Sequence, residues 1–117
     1  DTFTPVGPWI VTADEIKDPT DMKMRLWVNG EQRQQATTKD LIVDIPNMIA
    51  VASSSSTLYP GDIIATGTPA GVAKVVAGDT VTIEVDEVGK MSLPVVADSR
   101  GASIVFSKPY EFTRATS

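Results

Sequence analysis

PGDIIATGTPAG, residues 60–71, is the stretch from which the rest of the chain is read. Pro60 fixes its own φ, and Gly61 can take the positive φ that a type II turn needs at its third position. The turn is expected to feed a short apolar strand, Ile63-Ile64-Ala65, which runs into a loop of small residues, Thr66 to Gly71. Gly67 and Gly71 flank Thr68 and let the backbone approach a ligand closely. Pro69 pushes Thr68 toward an extended conformation. The expected result is a hydroxyl and a few N–H groups at the end of a buried strand, a cradle for a carboxylate or oxyanion. A plain strand–turn connection satisfies the same local chemistry, because Gly, Thr and Pro cluster in loops of every kind.

Upstream of this stretch, Met22, Met24, Leu26 and Val28 alternate with Lys23, Arg25 and Trp27, the period of a strand with one apolar face. Asn29-Gly30 follows, a strong hairpin turn signal, and Glu31 to Ala36 form the returning strand, polar enough to be exposed or at an edge. The methionine stripe is read as core packing rather than a soft-metal site. Leu41-Ile42-Val43 is a short apolar run. Asp44 or Ile45 then caps a helix with Pro46 in its first turn, and Ile45, Met48, Ile49 and Ala52 lie on one face. Ser53 to Ser56 end it. No histidine or nearby lysine is present to act as a base for these serines, so they read as a polar helix end.

Further upstream, DTFTPVGPW (residues 1–9) is too rich in proline for a helix and reads as an ordered loop. Ile10-Val11-Thr12 is expected to be a short strand. Thr12 and Glu15 have capping-box spacing ahead of a helix of one to two turns that stops before Pro19. Downstream, Gly78-Asp79 marks a turn and Thr80 to Val85 alternates as a strand. Asp86 to Gly89 turns, and Lys90 to Val96 returns as its partner. The adjacent carboxylates of Asp86 and Glu87 would point to opposite sides of a strand, which disfavours a paired acid/base or metal role. Ala102 to Phe106 is a short strand, and the remainder of residues 100–117 a surface tail. Several hairpins, two short helices and turns every 8–12 residues make a β-dominated α+β domain.

The chain has 117 residues, enough for one domain with a modest core. Ten Lys and Arg stand against 15 Asp and Glu, a net charge of −5 with no basic run, which argues against a nucleic-acid partner. There is no cysteine and no histidine. Disulfides, thiolate zinc sites, and Ser–His or Cys–His nucleophile pairs are therefore excluded within the chain. No apolar run approaches the ~18 residues needed to span a membrane, and no charged-then-apolar leader is visible. A cytoplasmic location without membrane contact is the expectation. The chain begins at Asp1, inside a loop, the mark expected of a processed or incomplete piece.

Taken in order, DTFTPVGPW, WVNGEQRQQATTKDLI, TLYPGDIIATGTPAGV and GDTVTIEVDEVG resemble the C-terminal half of the fumarylacetoacetate hydrolase family over roughly residues 1–96. The resemblance implies a fumarylacetoacetase-like mixed β-roll, of which residues 1–117 would be the C-terminal portion of one catalytic domain, in a homodimer. It implies a divalent cation, Mg2+ or Mn2+, and a small β-diketo or 2-oxo acid substrate. The activity implied is hydrolysis of a C–C bond in an acylpyruvate-type substrate, with isomerisation or decarboxylation of a hydroxymuconate-type diacid or oxaloacetate in aromatic catabolism as the alternative. A non-catalytic binding module is a third reading, should the chain act alone. The family's acid/base histidine, its metal-binding carboxylates and a lysine would lie upstream of Asp1. No metal ligand is therefore assigned within the chain, and the catalytic groups are expected on the upstream part of the same enzyme. Carried over by motif, Thr68 contacts the substrate carboxylate, Gly67 and Gly71 shape the loop, and Gly7, Pro8 and Trp9 border the pocket.

Overall fold

Six strands and one helix carry the fold in the computed structural model, which describes residues 4–98, 104–106 and 111–115. The strands are β1 (Lys23–Val28), β2 (Glu31–Thr37), β3 (Thr80–Val85), β4 (Gly89–Ala97), β5 (Ile104–Phe106) and β6 (Glu111–Arg114), and the helix α1 is Ile45–Ser55. The sheet order is β2-β1-β3-β4-β5, with β6 also on β4, and every described pairing is antiparallel. This is the β-dominated α+β class that the sequence predicts.

The alternating patterns set the register. Leu26 pairs with Ile83 and Val28 with Val81, while Val81 pairs with Leu93 and Ile83 with Met91. These apolar residues share one face, and the core lies there: Val81, Leu93 and Val95 are 7%, 4% and 2% exposed. Their burial stabilises by roughly 1.5–3 kcal/mol per side chain. The other face carries a polar row in which Arg25 pairs with Glu84 and Glu84 with Lys90. The Arg25 guanidinium holds Glu84 at 2.9 Å and Asp86 at 2.7 Å. Glu87 turns the other way and accepts from the Lys17 amide at 2.7 Å, so the adjacent carboxylates are engaged apart.

Turn chemistry is as the residue types dictate. Asn29 and Gly30 take φ of 52° and 81° between β1 and β2, the left-handed pair that a tight hairpin needs. Asp44 caps α1, accepting from the Asn47 amide at 2.8 Å, with Pro46 in the first turn. Ser53, Ser54 and Ser55 donate to the carbonyls of Ala50, Val51 and Ala52, consistent with a polar helix end.

Four expectations are corrected. Ile10-Val11-Thr12 is not a strand, and Ile10 is exposed. The Thr12–Glu15 capping box is absent: Ala13–Glu15 is a single 3-10 turn without a side-chain cap, its Glu15 amide donating to the Thr12 carbonyl rather than to the hydroxyl, while the Glu15 carboxylate accepts from both the Thr12 hydroxyl and Arg114. A capping box forms instead at Thr37, around the 3-10 turn Thr38–Asp40. Part of the expected tail, Glu111–Arg114, is a strand on β4. Finally, Ile63-Ile64-Ala65 joins no ladder, and Ile63 is 73% exposed. Its apolar side chains find no partner strand among the described residues. The expected strand at Ala102–Phe106 is described from Ile104 onward, as β5; Ala102 and Ser103, like Asp1 to Phe3 of the first loop, lie outside the described residues.

Candidate functional site

The Thr68 loop hangs on β2, and a bulge in β2 decides how. The hairpin register runs Val28 to Glu31 and Trp27 to Gln32, then skips to Leu26 opposite Gln34. Arg33 is the extra residue. A one-residue slip exchanges the faces of a strand, so Gln34 joins Leu26 on the apolar face instead of lying opposite it. From there its side-chain amide reaches the loop: Nε2 donates to Thr68 Oγ1 at 2.9 Å and to the Pro69 carbonyl at 2.8 Å.

The bulge also receives Gly71. That residue has φ of 100°, and its α-carbon lies so near β2 that a β-carbon there would overlap the carbonyl oxygen of Arg33. Gly71 is thus required for the loop's close approach to a strand. Gly67 differs: its φ of 102° is also left-handed, but the space beside it is open. The turn that launches the segment forms as expected, with the Asp62 amide on the Tyr59 carbonyl at 3.0 Å and Gly61 at φ 98°.

Between loop and sheet lies a cavity of about 130 Å3. Met24, Leu26 and Ile83 come from the apolar face, Gln34 from the edge strand, and Gly67, Thr68 and Pro69 from the loop, with Arg25 completing the lining. Thr68 is exposed. Among the described residues, no backbone N–H from Ile63 to Val75 donates to a protein acceptor. The loop therefore places the Thr68 hydroxyl beside an apolar floor, with the Gly67 and Thr68 amides given no protein acceptor among the described residues, a combination suited to a small organic anion.

The structure does not bring all the expected residues together. Gly7, Pro8 and Trp9, expected to border the pocket, do not line this cavity. Trp9 stands edge-on to Phe112 with ring centroids 5.9 Å apart, and its Nε1 donates to the Val88 carbonyl at 3.4 Å. Phe112 is the far end of a row that runs Gln34, Leu26, Ile83, Met91, Phe112 across the sheet. Four strand spacings, roughly 19 Å, separate its ends. Gln34 itself was not legible as a site residue, because regular hairpin register from Asn29-Gly30 places it on the opposite face.

A divalent cation does not fit these residues alone. Among the described residues, no three of His, Cys, Asp and Glu converge, no carboxylate lines the cavity, and Glu84 and Asp86 are held by Arg25. Nor, among the described residues, is any helix long and apolar enough to cross a membrane.

Comparison with known proteins gives a uniform answer. The family model described as fumarylacetoacetate (FAA) hydrolase C-terminal matches residues 1–96. The chain is 48% identical over 98 residues to a 4-hydroxyphenylacetate degradation bifunctional isomerase/decarboxylase of Salmonella dublin, covering 84% of this chain and 23% of that protein. It is 46% identical over 95 residues to a maleylpyruvate hydrolase of Aquipseudomonas alcaligenes, covering 81% and 33%. Among solved structures, maleylpyruvate hydrolase of Sphingobium sp. SYK-6 in complex with manganese(II) ion and pyruvate is 60% identical with a TM-score of 0.77, over 79% of this chain and 35% of that one. The chain spans about a quarter to a third of the length of these relatives.

Proposed function

The chain belongs to the fumarylacetoacetate hydrolase family, and on that premise we propose that it supplies the carboxylate grip of an enzyme that hydrolyses a C–C bond in an acylpyruvate-type 2-oxo acid. The observation that carries the reading is the Thr68 loop: an exposed hydroxyl and unpaired amide donors at the mouth of an apolar cavity. A hydroxyl donated to a carboxylate is a charge-assisted bond of about 1.5–3 kcal/mol. The relative solved with manganese and pyruvate supports a product-sized 2-oxo acid as the anion held.

In this reading Thr68 Oγ1 donates to a carboxylate oxygen of the substrate, and the N–H groups beside Gly67 complete the contact. Met24, Leu26 and Ile83 exclude water from one side of the ligand. The hydrolysis adds water across the bond between the acyl carbon and the pyruvyl methylene, releasing a carboxylic acid and pyruvate. Mg2+ or Mn2+ belongs to the reading by likeness to that relative. The residues around Thr68 do not form its site, and no step is assigned to it.

A second reading is isomerisation or decarboxylation of a hydroxymuconate-type diacid, favoured by the 48% identity to the isomerase/decarboxylase. Both substrates present a carboxylate beside an oxo or enol group, so Thr68 would serve either. The test is turnover by the intact protein with Mn2+ of an acylpyruvate, oxaloacetate and a hydroxymuconate isomer. Pyruvate released from the acylpyruvate alone supports the first reading. Isomer conversion or CO2 release without acylpyruvate cleavage supports the second. No turnover, together with no binding of pyruvate or oxalate, overturns both and leaves a non-catalytic module.

A further inference from the structure

We infer that Gln34 is a positioning residue that fixes the polarity of the Thr68 hydroxyl, making it a dedicated donor to an anionic ligand. The inference rests on the reading of Thr68 as the carboxylate contact. A backbone carbonyl can only accept, so the Gln34 atom 2.8 Å from the Pro69 oxygen must be the amide nitrogen. The same nitrogen lies 2.9 Å from Thr68 Oγ1 and 3.5 Å from the Ala70 carbonyl, and its second proton goes to the shorter contact. Thr68 therefore accepts from Gln34, and its own hydroxyl proton remains for another acceptor. Among the described residues it has none.

A threonine hydroxyl left alone rotates and can donate or accept. Occupying one lone pair with a neutral donor biases the proton outward, away from Gln34. A hydroxyl proton held outward meets either oxygen of a carboxylate in a charge-assisted bond, whereas an amide offers one neutral carbonyl oxygen and an NH2 end that can only donate. Gln34 thereby contributes selectivity for a carboxylate over an uncharged amide while staying behind Thr68.

The test measures binding of pyruvate and of pyruvamide to the intact protein with Mn2+ by titration calorimetry, for the wild type, Thr68→Val, Gln34→Met and the double variant. Thr68→Val is expected to weaken pyruvate about tenfold and to reduce the preference for pyruvate over pyruvamide. Gln34→Met should reduce that preference by a similar factor, and the double variant should be no less selective than Thr68→Val alone. This non-additivity marks two residues acting as one unit. If Thr68→Val changes nothing, the reading of Thr68 fails. If Thr68→Val acts but Gln34→Met weakens both ligands equally, or the two losses add, the reading stands and the role of Gln34 is overturned. Gln34→Leu is a second uncharged variant should Gln34→Met fold poorly. Its side chain cannot donate either, so the preference must fall there too.

Discussion

Gly71 lies against the Arg33 carbonyl with no room for a β-carbon between them. The two residues join the loop to the bulge of β2, and Gly71 is held at φ 100°. Replacing it by alanine brings both a left-handed strain of about 1–2 kcal/mol and a collision with main chain that cannot rotate away. We expect Gly71→Ala to lose roughly 2–4 kcal/mol in urea unfolding and to displace Thr68. Gly67→Ala, with the same sign of φ but open space, should lose only the strain. Equal losses for the two would show that the contact with Arg33 does not matter.

Thr68 is exposed and its one described side-chain bond is the one it accepts from Gln34, so its substitution largely separates binding from folding. Thr68→Val should raise the KM of the intact enzyme about tenfold or more, equivalent to ~1.4 kcal/mol, with the unfolding midpoint unchanged. Thr68→Ser, which keeps the hydroxyl, should restore most of the affinity. Unaltered steady-state kinetics in Thr68→Val would remove the residue from the site.

Arg25 binds Glu84 and Asp86 at once, and its side chain is 28% exposed. Removing it leaves Asp86 without its described ion-pair partner and Glu84 with only the longer contact to Lys90, at 3.8 Å. Arg25→Ala is expected to destabilise by about 1–2 kcal/mol, with part of the loss recovered in 1 M salt as repulsion between the two carboxylates is screened. A salt-independent loss would indicate that the alkyl stem, not the charge, is what Arg25 contributes.

The Asp79 carboxylate accepts from the Val76 amide and from Asn29 Nδ2, each at 2.8 Å, and these bonds hold it below the usual aspartate range. Because the folded value is depressed, its contribution is complete above the unfolded value of about 3.9 and is lost as pH falls through the lower folded value. The stability gap between wild type and Asp79→Asn should therefore be constant from pH 5 to 7 and close as the pH drops below about 4. A gap independent of pH down to 2 would assign the effect to geometry rather than charge.

Much of the sheet was legible because local chemistry and long-range packing agree there. Thr80–Val85 alternates, Asn29-Gly30 admits the left-handed turn, and Asp44 with Pro46 starts the helix. Two failures turn on partners distant in sequence: Glu111–Arg114 is a strand only because β4 offers an edge, and Ile63-Ile64 finds no ladder to join among the described residues. The failure at Thr12 is local, since the Glu15 amide takes the Thr12 carbonyl in a 3-10 turn. In the candidate site, Thr68 and its glycines were readable from residue type. Gln34 was not, since a single bulge residue, Arg33, moves it to the other face.

That bulge makes the proposed ligand grip a discontinuous motif. The hexapeptide Thr66–Gly71 owes its shape to a strand more than thirty residues earlier, through Gln34 on Thr68 and Arg33 against Gly71. Grafted alone into another scaffold, it would be an unsupported loop with a freely rotating hydroxyl. The smallest transplantable unit is the β1–β2 hairpin together with the loop, and a motif search built on the hexapeptide should also require the Arg-Gln pair, whose Arg33 is the extra residue that turns Gln34 inward.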